Sequence, residues 1–260
     1  MVNKLTAVFD RLKSNQQKAF VPYIMAGDGG LDCLIDRLLL LQKLGATAIE
    51  IGIPFSDPVA DGPTIQRAGI RALNAGTNLR NTLKELEKGK DLLTVPIIIM
   101  TYVNPVYRYG TLSFVEDLQK ADVAACIIPD LPVEEEEWIV SELEAANIEL
   151  IRLVTMTTPK ERIELIANKG NGFLYTVTVK GITGVRNSYD EDLIQFLKMV
   201  KEVSPIPVLA GFGISTESQI EEITKYCDGV IVGSKIVELF EKNDIETMEK
   251  LLSVLQSVPK

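Results

Sequence analysis

The chain has 260 residues, 46% of them hydrophobic, with 27 basic against 36 acidic side chains and a formal charge of −9. That hydrophobic fraction supports a sizeable core and excludes a disordered chain, while the length suits one large α/β barrel or two small domains. The acidic balance argues against a nucleic-acid or anionic-membrane partner, so an anionic ligand needs a local cluster of backbone N–H groups.

Histidine is absent. Ser-His-Asp and Cys-His nucleophilic schemes, imidazole bases and His-ligated metal sites fall away together, and no metal is expected. Proton transfer near neutral pH then falls to carboxylates, Tyr or Lys in unusual surroundings. Cys33, Cys126 and Cys227 are too scattered for a disulfide framework or a metal knuckle and suit a reduced compartment. The first twenty residues hold no continuous apolar run, and no apolar stretch of about 18 residues follows. The expectation is a soluble, cytoplasmic protein with no membrane partner.

Taken in order, the chain opens with Leu5, Val8, Phe9 and Leu12 on one face of a helix. Short β-rich runs follow at about 19–25, 47–53, 96–102, 124–129, 149–154, 173–178, 207–211 and 229–232. Amphipathic helical stretches lie between them, among them Leu31–Leu44, Val133–Asn147, Pro159–Lys169 and Glu191–Val203. Thr158-Pro159 reads as an N-cap followed by Pro at the first helical position, and Ser215 or Thr216 opens a later helix. Eight β/α units in about 250 residues predict a (β/α)₈ TIM barrel whose bottom is covered by the extra N-terminal helix. With no linker or composition break, residues 1–260 are expected to form one domain.

The second run leads into Gly52-Ile53-Pro54-Phe55-Ser56-Asp57-Pro58-Val59-Ala60-Asp61-Gly62-Pro63. On a strand, Ala48, Glu50 and Gly52 share one face, and Ile49, Ile51 and Ile53 the other. An inward acid near a strand's C-terminal end, Glu50, and a loop acid, Asp61, are placed where barrels keep catalytic groups. A buried strand Glu also serves in structural ion pairs, and Asp-Pro or Asp-Gly is ordinary turn chemistry. The segment 102–109, Tyr-Val-Asn-Pro-Val-Tyr-Arg-Tyr, reads as an apolar, aromatic loop that roofs the pocket or meets a partner. Glycine-bearing segments follow the last three runs: Gly181–Gly184, Gly211-Phe212-Gly213-Ile214-Ser215 and Gly233-Ser234. Close backbone approach and a helix start at Ser234 suit a phosphate, although turns and helix ends also consume glycines. Tyr175 shares inward parity with Phe173, the usual setting of a core aromatic.

The whole string from Ala48 to Gln66 closely resembles the signature of the tryptophan synthase α subunit. The resemblance runs from the first strand to the last, departing at Gly27-Asp28-Gly29-Gly30, where the family more often has Gly-Asp-Pro. It implies a carbon–carbon lyase that cleaves indole-3-glycerol phosphate to indole and glyceraldehyde 3-phosphate, with Glu50 and Asp61 catalytic. By the same resemblance Tyr175 and Thr183 support them, and Gly184, Gly213, Gly233 and Ser234 bind phosphate. Tyr23, Ile65, Met100, Tyr102 and Phe212 match positions around indole. Asp57, Pro58 and Asn104 would meet a β subunit in an α2β2 complex. No cofactor is implied in this chain, and pyridoxal phosphate is implied in the β partner. The alternatives are a free-standing lyase and a non-catalytic allosteric barrel.

Overall fold

The structure, a computed structural model, describes residues 2–178, 191–211 and 213–255. Nine parallel strand segments form one sheet: β1 (Ala19–Met25), β2 (Ile49–Gly52), β3 (Ile97–Met100), β4 (Ala125–Ile127), β5 (Glu149–Ile151), β6 (Leu153–Thr155), β7 (Leu174–Val177), β8 (Val208–Gly211) and β9 (Gly229–Val232). The order β5-β4-β3-β2-β1-β9-β8-β7-β6 has β5 and β6 at its ends. Those two segments are halves of one barrel strand interrupted at Arg152. Ile151 pairs with Ile127 on one side, and the Tyr175 N–H donates to the Arg152 carbonyl at 3.0 Å on the other. Nine segments thus make eight staves, and the chain is a TIM barrel, as the alternation of β and α runs predicts.

Strand parity sorts the side chains into two layers. Ile49, Ile51 and Ile53 face the helices, whereas Ala48, Ile98, Phe173 and Tyr175 fill the barrel interior. Each fully buried isoleucine contributes about 2 kcal/mol of transfer free energy, which fixes the register of β2 and turns Glu50 inward. Helix Lys4–Ser14 closes the N-terminal end. Its Leu5 and Phe9 enter the interior cluster, with the Phe9 ring 5.4 Å from that of Phe173. The Asn3 amide donates to the carbonyls of Ala124 and Asn147, just before β4 and β5. No helix among the described residues is long and apolar enough to cross a membrane.

Three local expectations shift. The stretch Val133–Asn147 is helical only from Glu137 to Ala145, because a turn closes first, with the Glu135 N–H on the Pro132 carbonyl at 2.9 Å. Pro159 is itself the N-cap of helix Lys160–Asn168, and the Thr158 hydroxyl accepts the Thr155 N–H instead. Segment 102–109 is a helix, Val103–Tyr109, rather than a loop. Pro105 falls in its first turn, where a missing N–H breaks no intrahelical bond. Thr216 does cap helix Glu217–Ile223, in a reciprocal box with Gln219.

Candidate active site

A cavity of about 440 Å³ opens at the C-terminal ends of the strands. Its wall brings together Glu50, Asp61, Tyr23, Ile65, Met100, Tyr175, Gly213, Gly233 and Ser234, all of them expected site residues. Tyr23 and Glu50 are register partners on neighbouring strands, so their side chains rise side by side into the interior. Thr183, Gly184 and Phe212 lie outside the described residues.

Glu50 is only 1% exposed, and its Oε2 has no hydrogen-bond partner. A buried carboxyl oxygen without a hydrogen-bond partner costs stability, so its place here calls for an explanation other than folding. Burial, reinforced by the negative charge of Asp61, pushes the Glu50 carboxyl up to about 8. The half-buried Asp61 rises less, to about 6: burial raises it, and a hydrogen bond from the Tyr102 hydroxyl holds it back. Near neutrality Glu50 therefore holds its proton while Asp61 is largely ionised. Two carboxyl groups with separated titrations supply an acid and a base in one pocket.

The surrounding tyrosines depend on glycines. A side chain at Gly52 would meet the Tyr23 hydroxyl at 1.9 Å, and one at Gly211 would meet the Tyr175 ring and hydroxyl at 2.5 Å. Both glycines are thus spaces for tyrosines that flank Glu50, and Gly211 serves Tyr175 rather than a phosphate. Burial, first, and then the nearby acids raise both tyrosines far above the usual phenol range, so they stay neutral hydroxyls.

Tyr102, expected around a flat ring, is placed differently. It is outside the cavity wall, 2% exposed, with its ring 5.3 Å from Phe55. Its hydroxyl accepts the Ala60 N–H at 3.2 Å and donates to the Asp61 carboxylate. The loop that carries Asp61 is thus tethered to the start of helix Val103–Tyr109. Asp57 and Asn104 are exposed and Pro58 half-buried on these same two segments, beside exposed Val59 and Tyr107.

The wall continues at the loops after β8 and β9. Gly213 has φ 78°, and Gly233 precedes helix Ser234–Lys242, whose first amides have no intrahelical acceptor. Gly62, Ile214 and Ser215, part of the segments the sequence singles out but not assigned to the site there, complete the wall with Thr64, Gln219, Ile231, Lys235 and Glu238, which the sequence reading missed. Lys235 directly follows Ser234, the one available signal. Among the described residues no group of three or more His, Cys, Asp or Glu is placed to hold a metal ion.

The family described as tryptophan synthase alpha chain matches residues 9–259. The chain belongs to the tryptophan synthase alpha chain family. It is 49% identical over 255 residues to the tryptophan synthase alpha chain of Bacillus mycoides, spanning 98% of this chain and 97% of that one. It is 48% identical to the Oceanobacillus iheyensis chain of the same description, over 96% and 95% of the two lengths. Among solved structures, Mycobacterium tuberculosis tryptophan synthase superposes with a TM-score of 0.89 at 32% identity, covering 99% of this chain and 100% of that one. The Legionella pneumophila α subunit gives a TM-score of 0.88 at 32% identity, with 98% of each chain covered.

Proposed function

We propose that Glu50 and Asp61 are the acid–base pair of the family's lyase reaction, the cleavage of indole-3-glycerol phosphate to indole and glyceraldehyde 3-phosphate. The observation that carries this reading is the buried Glu50 carboxyl, with its Oε2 unpartnered, beside a second acid on the wall of the cleft at the barrel top. The protonated Glu50 delivers its proton to indole C3 while Asp61 takes the N1 proton, giving the indolenine tautomer. The Glu50 carboxylate then removes the proton of the side-chain hydroxyl next to C3, the C3–C bond breaks, and the aldehyde leaves as its electrons return to the ring. Asp61 gives its proton back to N1. Atoms and charge balance with no cofactor.

The rest of the wall suits the substrate. Ile65 and Met100 offer an apolar slot for the ring, and Tyr175 supports Glu50. Gly213, Gly233 and Ser234 receive the phosphate, with Gly184 and Thr183 expected to complete the cradle and the closure over it. Strand β9 lies two ladder spacings from β2, roughly 10 Å, which separates a reacting ring carbon from a terminal phosphate. The chain works as one domain. A β subunit holding pyridoxal phosphate docks on Asp57, Pro58 and Asn104 in an α2β2 assembly, in the cytoplasm, and takes up the indole. Incubating the purified chain with indole-3-glycerol phosphate tests the reaction. Equimolar indole and glyceraldehyde 3-phosphate, insensitive to borohydride, is the expected result. Borohydride inactivation would point instead to a Schiff-base aldolase.

A further inference from the structure

Among the described residues of the cavity wall, the acids Glu50, Asp61 and Glu238 stand against a single cation, Lys235. On a chain of charge −9, the described side chains of that wall offer a phosphate dianion one attractive charge, this lysine. Lys235 is the second residue of helix Ser234–Lys242, half-buried between Gly233 and the buried Ile236 and Val237. Its position is costly for the helix. A cation in the first turn opposes the helix dipole, and this first turn holds no acidic residue to offset it.

Nor do the described residues hold the Lys235 charge in an ion pair. Glu238, one turn on, is within 3.5 Å of the Thr64 hydroxyl instead. Asp244, whose acidity Lys235 slightly strengthens, is held by the hydroxyl and N–H of Thr247. A local rule broken with no gain in folding is expected where a ligand supplies the missing partner.

Resting on the phosphate reading above, we infer that the Lys235 ammonium is a direct contact of the substrate phosphate, adding a charge-assisted bond to the cradle of Gly213, Gly233 and Ser234. It fixes the anionic end of the substrate and takes no part in proton transfer. The lysine thereby makes the pocket selective for a dianion over an uncharged side chain of the same length.

Calorimetric titration of glycerol 3-phosphate into the full chain, with indole as the uncharged control, tests this. Lys235→Ala favours the helix and should fold normally. It should weaken glycerol 3-phosphate about fivefold, a value discounted for partial exposure, and leave indole affinity unchanged. Lys235→Arg should restore most of the loss. In turnover, Lys235→Ala should raise KM by a similar factor with kcat nearly constant, because the contact is equal in ground and transition states. Equal phosphate affinity in wild type, Lys235→Ala and Lys235→Arg would overturn the inference and leave the cradle standing. Wild-type protein with no affinity for glycerol 3-phosphate would instead remove the phosphate reading itself.

Discussion

Burial does most of the work at Glu50, and it fixes the pH behaviour of both activity and stability. With Asp61 near 6 and Glu50 near 8, the productive form is Asp61 ionised and Glu50 protonated. The profile of kcat/KM should be a bell with macroscopic limbs near those values. Asp61→Asn should erase the acid limb and move the alkaline limb down, since the Asp61 charge helps raise Glu50. A flat profile between pH 5 and 9 would contradict the pairing. Stability follows the same group. Between its ordinary value of 4.5 and about 8, folded Glu50 keeps a proton that the unfolded chain has released. Its contribution is therefore fully present below about pH 4.5 and is lost as pH rises towards 8. Glu50→Gln removes that loss, so by denaturant melts it should outlast wild type at pH 8 by on the order of 4 kcal/mol more than at pH 4.5. Parallel pH dependences for the two proteins would refute the assignment.

The strand–loop–helix units set which groups were readable beforehand. Period-two alternation on β2 exposes Glu50 as inward, because three isoleucines can face only the helices. The glycines at Gly213 and Gly233 stand out for the same reason, lying just past strands whose positions the apolar runs define. What escaped depends on contacts between units. No periodic signal brings the Tyr102 hydroxyl to Asp61, and Lys235, a single charge one step inside a helix, is marked only by following Ser234. Helix Val103–Tyr109 was hidden by Pro105, which is harmless in a first turn. The cradle yields its own prediction. A methyl at Gly233 would touch protein only at 3.6 Å from Tyr23, an ordinary contact, whereas Gly213 sits at φ 78° and strains any replacement. Gly233→Ala should therefore keep its Tm yet lose about tenfold in competition by glycerol 3-phosphate, consistent with a loss of one charge-assisted contact. Unchanged competition would remove Gly233 from the cradle.

Across the molecule, the barrel joins its chemistry to its surface through one side chain. Tyr102 starts the helix that bears Asn104, tethers the loop that bears Asp57 and Pro58, and hydrogen-bonds Asp61. If a β subunit docks there as proposed, it should shift the loop towards the arrangement in which Asp61 is engaged, so basal activity should be low and rise on docking. Titrating β subunit into wild type and Pro58→Ala should show acceleration blunted in the variant, with basal rates within about twofold. Identical activation curves would detach this surface from the active site. A second long-range tie supports the frame: Arg71 holds the buried Asp28 carboxylate bidentately at 2.7 and 3.0 Å and reaches Glu241 at 3.4 Å. It thereby joins the loop after β1, the helix following Asp61 and the helix of Ser234.

All of this rests on Glu50 moving protons at C3 and at the neighbouring hydroxyl. The decisive measurement is indole release from indole-3-glycerol phosphate by wild type and Glu50→Gln, with glycerol 3-phosphate affinity recorded on the same samples. Glutamine keeps the shape but can neither donate nor accept the proton. The rate should fall by at least about a thousandfold while glycerol 3-phosphate binds as in wild type. Cleavage by Glu50→Gln at a near wild-type rate would contradict the mechanism.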